Sequence, residues 1–300
     1  MEAALSDPVS DQYREFPCDL CGADEAVEVP HCREFLAEGT AHICCRCGFV
    51  YVRRRRASRR IAEVWSQDIF GQGYTASIPA VRARQTYVAE FLNNAVGLRG
   101  KTVCEIGAGE GHGLELVREA RYGASVFGVE PSPANGQRLH AAGIDYFTGT
   151  IEDFVDSPGA AGRFDVVLIQ WTLENCEDCR AMLAGARRVL KPGGAIAVAT
   201  GSRLLVPFKK PLHTYFGPRP ADTHAFRFSA NTLHGLLTTS GFEVQHVNRY
   251  IDHDVLCEIG VKQADGAAAG GWRGDPYLDV YNFFERWYVD TKIYFPNPID

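Results

Sequence analysis

Two groups of residues in this chain have types and spacing that carry chemistry. The first is a pair of Cys-x-x-Cys steps, Cys18-Asp-Leu-Cys21 and Cys44-Cys45-Arg-Cys47, with 22 residues between them. Each step is followed at once by a glycine, Gly22 and Gly48, which permits the tight turn that aims two sulfurs at one ion. Four thiolates around Zn²⁺ leave no open coordination position, so such a site is structural rather than catalytic. Cys18, Cys21, Cys44 and Cys47 are therefore the predicted zinc ligands, with His31, Cys32, His42 and Cys45 as bystanders. Cys176-Glu-Asp-Cys179 is a third such step with no partner pair nearby, and it is read as part of a helix start.

The second group is Glu105-Ile-Gly107-Ala108-Gly109-Glu-Gly111-His112, in which an apolar run enters a glycine series and then a helical pattern. Glycines let the backbone turn sharply and let a ligand approach it, and the helix that follows offers unpaired N–H groups. Glu130 closes the next apolar run, 23 positions after Gly107. That is close to the offset of roughly 20 residues at which an acid reaches the ribose hydroxyls of a bound nucleoside. A pyrophosphate would need the fuller Gly-x-Gly-x-x-Gly cradle, and here Gly111 arrives one residue early, which disfavours a nicotinamide dinucleotide enzyme.

These residues need elements to hold them. Strand-like runs at Lys101–Ile106, Ser125–Glu130, Asp145–Thr148, Phe164–Trp171 and Ala195–Thr200 alternate with helical stretches at Gly113–Arg121, Pro133–Ala142, Ile151–Val155 and Cys176–Leu190. Such alternation predicts an α/β fold with a parallel sheet covered on both faces. A helix over Ala230–Ser240, ended by Gly241, leads to strands at Glu243–Tyr250 and Asp254–Lys262, whose short connection makes them antiparallel. Residues 1–57 form an N-terminal arm and a small four-cysteine zinc ribbon, 58–97 a helical linker interrupted at Gly71-Gln-Gly73-Tyr74, and 98–262 the α/β domain. Within that domain, 201–229 is too long for a plain connector and reads as a substrate lid. In 263–300 a flexible linker precedes Tyr277–Val289, whose Val280, Phe283, Phe284 and Trp287 fall at helical spacing. This aromatic face is expected to fold back on the domain or to pair with a second copy of the chain.

From about residue 98 to 262 the sequence resembles the class I S-adenosylmethionine-dependent methyltransferases. Glu105–Gly111 is similar to their first motif and Val129-Glu130-Pro131-Ser132 to their acidic motif. Thr150-Ile151-Glu152-Asp153-Phe154 resembles the segment that contacts adenine, and Phe164–Glu174 the fourth-strand motif beside the transferred methyl. Arg188-Val-Leu-Lys191-Pro-Gly193-Gly194 is close to the turn before their fifth strand. The resemblance implies a Rossmann-like seven-stranded sheet with an antiparallel closing strand. It also implies that Glu105, Gly107, Ala108, Gly109, Gly111, His112, Glu130, Pro131, Ile151, Glu152, Gln170 and Trp171 bind S-adenosylmethionine, with Tyr74 from the linker. The added four-cysteine module is similar to that of sugar-nucleotide and secondary-metabolite methyltransferases. The departures are a short C-terminal extension and Leu173-Glu174-Asn175 where that group has Leu-Glu-His. Both leave oxygen or nitrogen methylation at least as favoured as carbon methylation.

A hydroxyl acceptor needs a general base, and His224, followed by His213, is the first choice because both lie in the lid with Lys209, Lys210, Tyr215, Arg219 and Arg227. The expected acceptor is a small molecule such as a nucleotide-linked sugar. The alternative is an RNA or protein methyltransferase that uses the zinc module and the run Arg53, Arg54, Arg55, Arg56, Arg59 and Arg60. That run reads either as a solvated linker and helix start or as a phosphate-binding patch. A net charge of −6, from 31 basic and 37 acidic residues, counts against nucleic acid. No apolar stretch is long enough to span a bilayer, and the acidic start, MEAALSDPVSDQYREF, has no leader-like core. A cytoplasmic setting with reduced cysteines is the expectation.

Overall fold

The computed structural model describes residues 13–65, 74–208, 210–266 and 270–294, without the side chains of 74–78 and 293–294. Along the chain, β1 (Arg14–Glu15) and β2 (Ala26–Glu28) precede the single-turn α1 (Cys32–Phe35). Next come β3 (His42–Cys44), β4 (Val50–Tyr51) and β5 (Arg54–Arg55), and then two linker helices, α2 (Ser58–Val64) and α3 (Tyr74–Val96). The glycine-interrupted part of the linker, 66–73, lies outside the described residues.

The α/β alternation then runs β6 (Thr102–Ile106), α4 (His112–Arg118), β7 (Ser125–Glu130), α5 (Pro133–Ala141), β8 (Asp145–Thr148), α6 (Ile151–Phe154), β9 (Phe164–Gln170), α7 (Cys179–Val189) and β10 (Leu190–Thr200). The sheet is completed through α8 (Leu212–Phe216), β11 (Phe226–Arg227), α9 (Ala230–Thr239), β12 (Phe242–Val247) and β13 (Leu256–Lys262), and α10 (Tyr277–Tyr294) follows. Helix starts are set locally. Ser132, Thr150, Asp178 and Ser229 each accept a backbone N–H of the first turn of α5, α6, α7 and α9. Because Asp178 is the cap, α7 begins at Cys179 rather than at Cys176. A 3₁₀ turn over Leu173–Asn175 takes the preceding stretch, and the Cys176 thiol donates to the Leu173 carbonyl at 3.2 Å.

The main sheet has the order β12-β13-β10-β9-β6-β7-β8. β8, β7, β6, β9 and β10 are mutually parallel, while β13 runs antiparallel to both β10 and β12. The final strand thus slots between its two neighbours instead of extending the edge. β9 is buried along nearly its whole length, as a central strand covered on both faces must be. Strand order reverses between β6 and β9, so the carboxyl ends of β6 and β9 frame a crevice, the usual ligand position of an open α/β sheet.

The N-terminal module and residues 201–229, the segment read from sequence as a lid and so labelled below, share a second sheet. Its order is β11-β4-β3-β2, so Phe226 and Arg227 of the lid pair with Tyr51 and Val50 of the module. Phe49, Phe226 and Phe228 stack together beneath this sheet. On its other side Val280, Phe284 and Trp287 of α10 are buried with Ile43, Leu204, Leu212 and Phe216. The aromatic face of the tail is taken up within the chain.

The arginine run ends in a helix start, with Arg59 and Arg60 in the first turn of α2, and its middle is paired within the chain. Arg55 is fully buried, its Nη1 and Nη2 donating to the two carboxylate oxygens of Asp19 at 3.0 and 2.9 Å, and Nη1 also to the Glu177 carbonyl at 2.6 Å. Arg56 grips Asp222 of the lid through Nε at 2.8 Å and through its backbone N–H at 3.1 Å. Arg53, Arg59 and Arg60 lie beside Asp24, Asp153 and Glu63, and Arg54 stacks on Tyr13. The run is therefore partly internal: Arg55 and Arg56 are taken up by Asp19 and Asp222, while Arg54 and Arg59 stay exposed. It fastens the module, the crevice wall and the lid to one another, because each guanidinium meets a carboxylate, a carbonyl or an aromatic face.

Candidate functional site

The crevice at the carboxyl ends of β6, β7 and β9 opens into a cavity of about 320 Å³ that α2 and α3 cover. Its floor is the glycine turn. Gly107 and Gly109 have φ of +72° and +56°, and a Cβ on Gly107 would sit 2.4 Å from Thr172 Oγ1, so only glycine fits there. Glu130 holds this turn: its carboxylate accepts the Gly109 N–H at 2.8 Å and the Ser132 N–H at 2.9 Å. Burial pushes the Glu130 carboxyl above the usual range, and those two N–H groups pull it back. Gly111 serves differently. Its φ is +88° and a Cβ there would meet Leu139 at 2.6 Å, so it caps α4 and admits packing from α5 without lining the cavity.

Glu105 ends β6 beneath the turn. It is 2% exposed, and Oε1 accepts from Gln170 Nε2 at 2.9 Å. Its Oε2 has no hydrogen-bond partner among the described residues. Burial drives this carboxyl up to about 8, against the pull of Gln170. Glu152 is likewise raised by burial. His112 has Nε2 3.1 Å from Glu110 and Nδ1 3.4 Å from Glu115, so its ring is bracketed by two carboxylates.

The opposite wall follows β9. Trp171 adopts φ +51°, a region that costs a bulky residue roughly 1–3 kcal/mol and tends to mark ligand sites. Asn175 Nδ2 donates to its carbonyl at 2.7 Å and holds it there. Glu174 is buried, with Oε1 accepting from Thr200 Oγ1 at 2.7 Å and Oε2 without a partner among the described residues. Burial raises it to about 7. His224 enters from the lid, its Nδ1 3.3 Å from Ser202 Oγ and its ring edge-on to Trp65 of the α2 end. Burial, aided by Arg227, Arg219 and Lys210, lowers its imidazole to about 3.

Of the residues named from sequence, Glu105, Gly107, Ala108, Gly109, His112, Glu130, Pro131, Ile151, Glu152, Gln170, Trp171 and His224 all line this cavity. His213 lies on α8, 6.1 Å from the ring of Phe35 and away from the cavity lining. The side chain of Tyr74 and residue Lys209 lie outside the described residues. Sequence reasoning missed the roof, which comprises Ser58, Ile61 and Trp65 from the first linker helix and its end, and Val81, Arg84 and Gln85 from the second. It also gave no role to Glu174.

The four predicted ligands converge in the module. Cys18, Cys21, Cys44 and Cys47 have all sulfurs within 4.8 Å of one another, with Cys18–Cys47 and Cys21–Cys44 at 3.5 Å. A tetrahedron with Zn–S arms of about 2.3 Å has S–S edges of about 3.8 Å, so the set is the right size to hold such an ion. Hydrogen bonding among the thiols pushes Cys18 and Cys47 up and Cys44 down. No helix among the described residues is long and apolar enough to cross a membrane.

Comparison with known proteins agrees with this geometry. The family described as "Methyltransferase domain" matches residues 80–247. The ubiquinone biosynthesis O-methyltransferase of Erwinia tasmaniensis is 35% identical over 126 residues, 40% of this chain and 49% of that protein. The protein of the same name from Bradyrhizobium sp. is 39% identical over 121 residues, 38% of this chain and 44% of that one. The chain thus spans about half the length of the relatives it matches. Among solved structures, Burkholderia thailandensis 1,6-didemethyltoxoflavin-N1-methyltransferase, with bound 1,6-didemethyltoxoflavin and S-adenosylhomocysteine, superposes with a TM-score of 0.52. It is 16% identical and covers 72% of this chain and 96% of its own, a likeness of fold. With the glycine turn, the two acidic strand ends, the sheet order and a family match over more than half its length, this chain belongs to the methyltransferase-domain family.

Proposed function

We propose that the protein is an S-adenosylmethionine-dependent methyltransferase that methylates an oxygen, or less readily a nitrogen, of a small molecule. The observation that carries this reading is the pairing of the Gly107–Gly109 turn with two buried carboxylates, Glu105 and Glu130, in a single cavity. The unpartnered Oε2 of Glu105 calls for a donor, and the α-ammonium of the cofactor's methionine end is such a group. Glu130 would face the ribose hydroxyls, and Ile151 with Glu152 the adenine. The names of the matched relatives support oxygen as the acceptor atom.

When bound, S-adenosylmethionine supplies a methyl on a cationic sulfur, already activated for displacement at carbon. The chain's own residues then have three tasks. Trp171 and the α2–α3 roof enclose the reacting atoms and exclude water, and an aromatic face beside a cation is favourable. Pre-alignment of the acceptor oxygen behind the methyl lowers the barrier by several kcal/mol without covalent catalysis. His224, kept neutral by burial, is assigned to accept the hydrogen bond of the acceptor hydroxyl and orient its lone pair. An imidazole of such low basicity is a weak proton sink, which suits an acidic hydroxyl better than an aliphatic one. Glu174, at about 7, is better matched to take up the proton.

The four-cysteine cluster is assigned a structural Zn²⁺. Its work would be to fix the knuckle that carries Asp19, and through Arg55 the loop that ends the cavity wall. The engagement of Arg55 and Arg56 with Asp19 and Asp222 weighs against the macromolecular alternative.

Methyl-labelled S-adenosylmethionine incubated with the purified, zinc-loaded protein and a panel of phenols, catechols, amines and nucleotide sugars tests the proposal. Label appearing in an acceptor, and lost in Gly107→Val, is the expected result. Failure of the protein to bind S-adenosylmethionine or S-adenosylhomocysteine at all would overturn it.

A further inference from the structure

The acceptor end of the cavity has a charge feature that the methyl-transfer reading does not by itself require. Most cations described above meet a carboxylate, as Arg55 does with Asp19 and Arg56 with Asp222. Three around the His224 corner do not. Arg84 lines the cavity roof, its Nε donates to the Ala80 carbonyl at 3.2 Å, and its Cζ lies 5.6 Å from the centroid of the Trp171 ring. Its Nη1 and Nη2 groups donate to no protein acceptor among the described residues. Lys210, at the entry to α8, rests over the Tyr215 ring at 5.4 Å. Arg227 is 2% exposed; its Nη1 donates to the His224 carbonyl at 2.9 Å and its Cζ lies 4.9 Å from the Phe216 ring.

These charges feel one another. The positive charge of Arg84 helps burial to depress the Lys210 ammonium. That of Arg227, Arg219 and Lys210 acts on His224 in the same sense. Of the acids nearby, Asp222 is paired with Arg56, while Glu174 accepts from Thr200 through Oε1 and pairs with no cation among the described residues. The other end of the cavity is the reverse, with Glu105, Glu110, Glu130 and Glu152 along its lining. Like charges gathered in one wall repel one another, and such a wall concentrates ligands of opposite sign.

We propose that the methyl acceptor carries an anionic group, a carboxylate or a phosphate, that docks on the free fork of Arg84. The proposal rests on the methyltransferase reading and adds to it the chemical class of the acceptor. A guanidinium with both Nη groups available matches the two oxygens of a carboxylate or phosphate, and stacking on Trp171 holds its plane beside the site. The same wall that encloses the methyl therefore also fixes the acceptor's orientation, by a contact remote from the reacting atom.

The test is calorimetry in two steps on the zinc-loaded protein. S-adenosylhomocysteine is titrated first. The saturated protein is then titrated with benzoate, with inorganic pyrophosphate and with neutral benzamide. At least one anion is expected to bind tenfold or more tighter than benzamide. Its affinity is expected to fall at least tenfold in Arg84→Gln and to weaken with added salt. A preference for benzoate assigns a carboxylic acid acceptor, and one for pyrophosphate a phosphate-bearing acceptor. Equal binding of benzamide and both anions, or an Arg84→Gln variant with unchanged anion affinity, would overturn the inference. Because S-adenosylhomocysteine binding is read first, a failure of the methyltransferase assignment shows in that step and is distinguished from failure of the anion site.

Discussion

The buried carboxylate at Glu105 makes cofactor affinity a function of pH. In the free protein its carboxyl sits at about 8, because burial outweighs the hydrogen bond from Gln170. A group that is to hold a cationic ammonium must be ionised, so binding expels a proton wherever the free carboxyl is protonated. At pH 6, about two units below that value, roughly 1% of the molecules carry Glu105 as carboxylate, and at pH 8 about half do. Affinity for S-adenosylhomocysteine is therefore expected to rise about 50-fold from pH 6 to pH 8. In Glu105→Gln the rise should flatten and the affinity at pH 8 should fall at least tenfold. Calorimetry in two buffers of different ionisation enthalpy reads both the affinity and the proton released, about one per site at pH 6. Stability follows the opposite sign. A carboxyl raised above its unfolded value stabilises the free protein below about 4.5, and that contribution is lost as pH rises through about 8. Saturating S-adenosylhomocysteine, which holds Glu105 ionised in the folded protein, should flatten this trend in melting temperature between pH 6 and 8. An affinity constant within twofold across the range, with no buffer-dependent heat, would refute the reasoning.

Other consequences can be checked separately. Glu130→Ala removes the acceptor of the Gly109 and Ser132 N–H groups and should weaken S-adenosylhomocysteine at least tenfold; unchanged affinity would dismiss its role. Gly107→Ala places a methyl 2.4 Å from Thr172 Oγ1 at φ +72°, so displacement of the β9 end and loss of cofactor binding are expected by calorimetry. Arg55→Met strands a buried Asp19 carboxylate, which costs about 3–5 kcal/mol, and should lower the melting temperature by at least about 6 °C. The double variant Asp19→Leu/Arg55→Met should recover much of that loss. Cys18→Ser should reduce the zinc content, measured by metal analysis, from one ion per chain to well below half; retained zinc and an unchanged melting temperature would remove the four-thiolate assignment.

What the sequence made legible is what local physics dictates. A buried strand entering glycines, an acid closing the next strand, and four cysteines in two spaced pairs are short-range signals, and the structure brings each set together. The strand positions were also readable, because β9 and β10 are runs of apolar residues bounded by turn residues. The roof was not, since helical periodicity in 58–97 does not say which sheet end the helices cover. Nor were the partners of the arginines: Asp19 lies 36 positions from Arg55 and Asp222 lies 166 from Arg56, and no local pattern joins them. The pairing of Phe226 with Tyr51 is likewise long-range, which is how a lid segment comes to complete the sheet of an N-terminal module. Gly111 shows the converse. Its place in a glycine series suggested ligand contact, whereas the neighbour its hydrogen faces is Leu139. His213 had the right residue type, but its helix turns it toward Phe35.

The most direct measurement is a titration of pure, zinc-loaded protein with S-adenosylhomocysteine, repeated on Gly107→Val. The account predicts saturable heat at one site per chain, abolished in the variant while its far-ultraviolet circular dichroism stays as in the parent. Absence of heat in the parent protein, or equal binding by the variant, would contradict it.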